Sequence, residues 1–91
     1  MTPARSVFIS DFFKLFAKHG YDDFNMFGSE VVEGISCHSK SAHRMIEVRF
    51  SGETRFRGTF TVIDQIRARS LKFQNRDDLV RCVAWAYGLA H

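Results

Sequence analysis

The sequence predicts an α+β fold, in which one small domain of residues 1–91 packs an N-terminal and a C-terminal helix against one face of an antiparallel sheet. Three observations support this class. The length of 91 residues suits a single domain. Apolar residues recur at helical spacing near both ends of the chain, and with a period of two in between. The element order α-β-β-β-α follows, with a sheet of three or four strands.

The first helix is predicted to begin at Thr2-Pro3 and to end at Gly20. Proline suits the first helical position, and glycine adopts the left-handed conformation that ends many helices. One broad arc of this helix is apolar, which predicts that the helix docks on a core. The arc consists of Phe8, Ile9, Phe12, Phe13, Leu15, Phe16 and Ala17.

The next segment, residues 21–28, is predicted as a short helical turn. Tyr21, Phe24 and Phe27 recur every third residue, and Gly28 would end the turn.

Three strands are predicted from the alternation of apolar and polar residues. They cover Val31–Cys37, Arg44–Phe50 and Arg55–Val62, and polar turns at residues 38–41 and 51–54 join them. Phe50 and Phe56 must share the core face, so their pairing is either direct or shifted by two residues. Direct pairing would set Arg49 opposite Arg57, and two like charges placed directly opposite each other destabilise a sheet.

Residues 64–75 fit two alternatives, a helical turn over Asp64–Arg69 or a short edge strand around Leu71 and Phe73. The final helix is better defined. Asn75 is its predicted cap, two aspartates follow in the first turn, and Gly88 is its predicted end.

Positive charge is concentrated in the middle of the chain. Residues 40–76 hold nine Lys and Arg against three Asp and Glu, a net charge of +6, whereas residues 1–39 have a net charge of −2. A patch of one sign attracts a partner of the opposite sign. The predicted partner-binding face consists of hairpin arginines, with Arg67, Arg69 and Lys72 nearby. The hairpin arginines are Arg44, Arg49, Arg55 and Arg57. The alternative is a solvated strand face whose charge serves solubility and deters aggregation between strands.

Arg81 and Trp85 form a second candidate surface, because a spacing of four places them side by side on a helix. Arginine and tryptophan are enriched among the residues that dominate interfaces. The alternative is structural, with Trp85 lying over the edge of the core and Arg81 covering it.

No catalytic residues, metal site or cofactor are predicted. Cys37 and His38 are neighbours on a strand and point to opposite faces, so they form neither a nucleophile–base pair nor a zinc site. No apolar run approaches the ~20 residues of a membrane span. With only two cysteines, the expected location is the reducing cytoplasm.

The sequence therefore predicts a small non-enzymatic binding protein of the accessory or inhibitor type, such as phages and mobile elements encode. Its basic sheet face would occupy an acidic surface of a partner protein. The alternative is a nucleic-acid-binding protein that uses the same arginines on phosphates without reading sequence. A homo-oligomer, formed through the Trp85 helix edge or the last strand, is a third possibility.

Overall fold

Two helices lie on one face of a five-stranded antiparallel sheet in the computed structural model, which describes residues 3–28, 33–51 and 56–90. The predicted α+β class is confirmed, but the predicted count of three or four strands is too low. The elements follow in the order α1 (Pro3–Ala17), β1 (Asp22–Phe27), β2 (Gly34–Ser39), β3 (Arg44–Phe50), β4 (Gly58–Asp64), β5 (Arg67–Phe73) and α2 (Arg76–Ala90).

The sheet is a meander, since each strand pairs with its neighbour in sequence and the order is β1-β2-β3-β4-β5. Residues that pair directly lie on the same face of a sheet. Ile35, Val48 and Phe60 therefore form one inward row, which is fully buried. These side chains share a single core with the apolar faces of both helices. The helical members are Phe8, Ile9, Phe12, Phe16, Leu79, Cys82 and Ala86.

Helix α1 is confirmed, although it ends at Ala17, before the predicted Gly20. Gly20 has a left-handed φ of 82°, and the next residue donates its backbone N–H to the Phe16 carbonyl at 3.1 Å. The glycine therefore turns the chain out of the helix and into the sheet.

The prediction of a helical turn over residues 21–28 is wrong, because this segment forms strand β1. The register shifts between Asp22 and Asn25, and Asp23 is left-handed with a φ of 51°. This irregularity is a bulge, which breaks the period of two. Because of the bulge, Tyr21 and Phe24 both pack on the core although they are three residues apart. A spacing of three is also typical of a helix, which is why a helical turn was predicted.

Strands β3 and β4 pair with a shift of two residues from the direct Phe50–Phe56 pairing, so that Phe50 lies opposite Gly58 and Arg49 opposite Thr59. A Cβ at Gly58 would overlap the Arg49 carbonyl, so glycine permits this close approach. Strand β3 has its predicted bounds, whereas β2 and β4 begin and end later than predicted. Residues 31–32 and 55 of the predicted strands, and residues 52–54 of the predicted turn, lie outside the described residues.

Of the two alternatives for residues 64–75, the edge strand is correct and the helical turn is wrong. A two-residue turn, Gln65-Ile66, joins β4 to β5, and Gln65 supplies the left-handed φ of 58°. Strand β5 then pairs with β4 without a break from Arg67 to Phe73.

The predicted cap of α2 is confirmed, because the backbone N–H of Asp78 donates to Asn75 Oδ1 at 2.9 Å. The backbone N–H of Gln74 in turn donates to the Asp78 carboxylate at 3.1 Å. The predicted end at Gly88 is wrong, since the helix continues to Ala90. Within the described part of the chain, neither helix has the length and apolar character needed to cross a membrane.

Candidate partner-binding surface

The sheet face opposite the helices, called the open face below, carries polar and half-buried side chains. The strand register places five residues in one row across all five strands. The row runs Phe27, Gly34, Arg49, Thr59, Lys72. Arg49 is exposed on this face, as the alternation in β3 predicts.

Arg49 has two intramolecular partners on the open face. Its Nε lies 2.6 Å from Glu47 Oε1, and its guanidinium carbon lies 5.0 Å from the centre of the Phe27 ring. The carboxylate offsets the arginine charge, and the ring offers its electron-rich face to the cation. The sequence analysis grouped Phe27 with Tyr21 and Phe24 on one side of a helical turn, so it did not predict the contact with Arg49. The signal that would have found it is Gly34, whose missing side chain makes room for the ring.

The prediction that Arg44 shares a face with Arg49 is wrong. Arg44 pairs in register with Ser39 and Asp64 on the helix-side face, since residues five apart in a strand point to opposite faces. Its Nη2 lies 3.3 Å from Asp64 Oδ2, and its side chain is only 14% exposed. The buried Tyr21 hydroxyl lies beside it. Burial raises the pKa of Tyr21, and the Arg44 guanidinium opposes part of that rise. Arg44 is thus mainly a structural residue.

Of the remaining two hairpin arginines, the structure describes one, Arg57. Arg57 is exposed immediately before β4, and the backbone N–H of Ser51 donates to its carbonyl at 2.7 Å. Arg55 lies outside the described residues.

Trp85 packs against the core, as the structural alternative predicted for this residue, whereas Arg81 contacts Asp78. Arg81 Nη1 lies 3.1 Å from Asp78 Oδ1, so an acidic residue one turn earlier offsets its charge. Trp85 is half-buried, and its ring lies edge-on to Phe60 with centroids 6.4 Å apart. Trp85 therefore closes the core between α2 and the sheet, although part of its ring remains accessible.

Among the described helices and strands, β5 has the largest excess of positive over negative side chains. It is the last strand of the sheet, and six of its seven residues are exposed. Arg67, Arg69 and Lys72 lie on it, and no acidic residue does. This set is called the cationic edge below, and within the described ranges none of its three side chains forms an ion pair. Asp64 lies opposite Arg67 in the register, but its carboxylate contacts Arg44. Sequence reasoning placed these residues only near the site, because it could not decide their secondary structure.

The opposite edge of the sheet has the opposite character. Strand β1 begins with Asp22 and Asp23, both exposed, and the bulge at Asp23 interrupts its pairing. Bulges and charges are common protections of edge strands. The two edges therefore differ both in charge and in regularity.

The cysteines do not contribute an accessible nucleophile. Cys37 is fully buried in the core, and burial raises the pKa of its thiol to about 12. Burial also raises the pKa of Cys82 on α2. Reactive cysteines are thiolates in partly exposed, electropositive surroundings, which neither position provides. No cluster of three His, Cys, Asp or Glu side chains suited to a metal ion occurs in the part of the chain that the structure describes.

Comparisons with protein-family models, with curated proteins and with solved structures found no match to this chain. The arrangement of its own residues is therefore the basis for a functional proposal. In that arrangement, exposed positive charge lies at the β5 side of the sheet.

Proposed function

We propose that this protein is a small, non-enzymatic binding protein that occupies an acidic surface of a partner protein. The cationic edge is the observation that supports this proposal. Arg67, Arg69 and Lys72 are exposed on one regular strand that has no acidic residue. Like charges concentrated on one strand attract an anionic partner and increase the rate of encounter.

The structure also changes which arginines support the proposal. Arg44, Arg49 and Arg81 each contact a carboxylate of the same chain, which reduces the charge available to a partner. Arg57 is exposed at the start of β4, the strand that pairs with β5. The proposed binding surface is therefore centred on β5 with Arg57 beside it, and Arg49 lies at its margin on the open face.

A protein partner is favoured over single-stranded nucleic acid by the aromatic side chains. Binding of single strands relies on exposed aromatic rings on which bases stack. Phe50 and Phe60 are buried in the core, and Phe27, half-buried on the open face, is covered by the Arg49 guanidinium. Contacts to phosphates alone remain the rival function, and the experiment below separates the two.

The proposal is tested by fluorescence anisotropy with three labelled probes: poly-L-glutamate, a DNA duplex and a single-stranded RNA. Titrations at ~50 and ~200 mM salt measure how far each complex depends on charge. We expect binding of poly-L-glutamate that weakens as salt rises. Binding of only the nucleic acids would replace the proposed function by the rival, and binding of no probe at low salt would refute both.

The matched variants have equal changes in net charge. The triple variant Arg67→Ala/Arg69→Ala/Lys72→Ala removes the cationic edge, whereas Lys14→Ala/Lys18→Ala/Lys40→Ala removes three exposed cations elsewhere. We expect the first to lose at least about tenfold in affinity and the second to change it by less than about threefold. Equal losses in both variants would show that only the net charge matters, which would overturn this choice of surface.

A further inference from the structure

We propose that β5 binds its partner by strand addition, with an extended acidic segment of the partner pairing along the outer side of β5. This inference rests on the proposed function and specifies the segment that the partner contributes. An edge strand presents a row of backbone donors and acceptors to any extended chain that reaches it. Strand β5 is regular over its whole length, has seven residues, and is exposed from Arg67 to Lys72.

The β4–β5 turn determines which backbone groups face outward. The two-residue turn closes on the pair Asp64–Arg67, so this pair exchanges both of its backbone hydrogen bonds. Alternation then directs the N–H and C=O of Arg67, Arg69 and Leu71 toward β4. The backbone N–H and C=O groups of Ala68, Ser70 and Lys72 face away from the sheet. An added strand would therefore pair with Ala68, Ser70 and Lys72.

The side chains beside this row specify the chemistry of the added segment. Arg67, Arg69 and Leu71 lie on the helix-side face, and Lys72 lies on the open face. Carboxylates placed opposite the three cationic residues would form cross-strand ion pairs. Leu71 is 41% exposed, so an apolar residue opposite it would bury additional surface. The preferred segment thus combines acidic and β-branched residues, with carboxylates opposite Arg67 and Arg69 on the helix-side face and one opposite Lys72 on the open face.

A second copy of this chain is a poorer occupant of the same edge. Pairing β5 with β5 of another copy would double the cationic charge along the edge without adding a carboxylate. Pairing β5 with β1 would meet the acidic pair Asp22-Asp23. The bulge at Asp23, however, leaves only Asn25–Phe27 in regular register. An acidic segment without a bulge fits better than either.

The experiment uses a labelled peptide of about ten residues with the core Glu-Val-Thr-Glu-Val-Glu, flanked by Gly and Ser. A counterpart with Lys in place of each Glu controls for charge. Amide hydrogen exchange of the full protein, followed by NMR, is the direct measurement. We expect the acidic peptide to slow the exchange of the Ala68, Ser70 and Lys72 amides by at least about tenfold, while the lysine peptide leaves them unchanged.

Two substitutions at one position separate backbone pairing from attraction between charges. Ser70→Pro removes an outward N–H and leaves the β4–β5 hydrogen bonds intact, because edge strands accept proline where the N–H faces solvent. Ser70→Ala keeps the N–H and removes only the hydroxyl, which lies 3.0 Å from that of Thr61. We expect Ser70→Pro to bind the acidic peptide at least about tenfold more weakly and Ser70→Ala to stay within about threefold of the parent protein. The exchange measurement on the parent protein needs no variant, so poor folding of Ser70→Pro would not prevent the test.

The outcomes distinguish this inference from the proposed function. Suppose that the parent protein binds poly-L-glutamate through Arg67 and Arg69, but that the acidic peptide leaves the β5 amides unprotected and binds Ser70→Pro normally. This result would refute strand addition and leave the proposed function standing. If neither acidic probe binds, both fail. If the parent protein forms a dimer without any peptide, and Ser70→Pro abolishes that dimer, the edge binds a second copy of this chain instead.

Discussion

The guanidinium carbon of Arg49 lies 5.0 Å from the centre of the Phe27 ring, and this ring covers Gly34 on the strand between them. Three strands thus contribute one residue each to a layer on the open face. The ring replaces the side chain that glycine lacks, a known device for stabilising glycine in a sheet. Arg49, an expected binding residue, consequently also contributes to holding β1 on the sheet.

Replacing Gly34 by alanine should destabilise the fold. The new Cβ would overlap the Phe27 ring and would lie 2.7 Å from the Val48 carbonyl oxygen. We expect a loss of about 1–3 kcal/mol in the free energy of unfolding, measured by urea denaturation. Gly88→Ala is the control, because it lies within α2 with nothing within 4 Å of its new Cβ. It should gain up to about 1 kcal/mol from helix propensity. Equal effects of the two substitutions would contradict this account of Gly34.

The contact between Arg49 and Phe27 should be measurable as a coupling energy. A double-mutant cycle with Arg49→Ala and Phe27→Leu isolates this contact from the ion pair with Glu47. We expect a coupling of about 0.5–1 kcal/mol, since the site is exposed. The same variants can be titrated with poly-L-glutamate. If Arg49→Ala weakens that binding as much as Arg67→Ala does, Arg49 belongs at the centre of the binding surface rather than at its margin.

The buried thiol of Cys37 predicts how stability changes at alkaline pH. Its pKa rises from 9.0 to about 12 on folding, so the folded state holds its proton more tightly than the unfolded state does. The resulting stabilisation is fully present below pH 9 and is lost as pH rises toward 12, with a slope of at most about 1.4 kcal/mol per pH unit.

Cys37→Ala tests this dependence. The variant should be less stable at neutral pH, because it leaves a small cavity, but its stability should fall less steeply between pH 9 and 12. Denaturation midpoints of both proteins across this range provide the comparison. Parallel curves would mean that Cys37 does not titrate differently in the folded and unfolded states.

The cap of α2 should contribute to stability through a single side chain. Asn75 Oδ1 accepts the Asp78 N–H at 2.9 Å, so Asn75→Ala removes the hydrogen bond and leaves that donor without its partner. We expect a loss of about 1 kcal/mol in the free energy of unfolding. Gln74→Ala serves as control, because Gln74 bonds the Asp78 carboxylate through its backbone N–H rather than its side chain. Gln74→Ala should change stability by less than about 0.5 kcal/mol.

Elements whose pattern follows from contact with the core were predictable from the sequence. Ile46, Val48 and Phe50 alternate because β3 lies in the middle of the sheet with one face on the core, and both ends of that strand were predicted correctly. The apolar arc of α1 and the Asn75 cap are similarly local, since residues close in sequence produce them. The positive charge of the central segment also follows from composition alone.

Both edge strands were harder to predict, and the reason is their position. Strand β5 lies at the sheet edge with six exposed residues, so little of its sequence is constrained by burial and its pattern is weak. In β1, the bulge at Asp23 replaced the period of two by a spacing of three. Because a bulge depends on the partner strand, no local pattern reveals it.

Local patterns and composition were enough to establish the class of the fold, the core faces of both helices and the excess of positive charge. Which of those charges lie beside a carboxylate of the same chain depends on how the strands and helices are arranged in three dimensions. Arg44, Arg49 and Arg81 each meet a carboxylate of the same chain, whereas Arg67 and Arg69 extend along the last strand of the sheet. Strand register and sheet order set these distances, and both depend on contacts between residues far apart in sequence, which composition and periodicity do not contain.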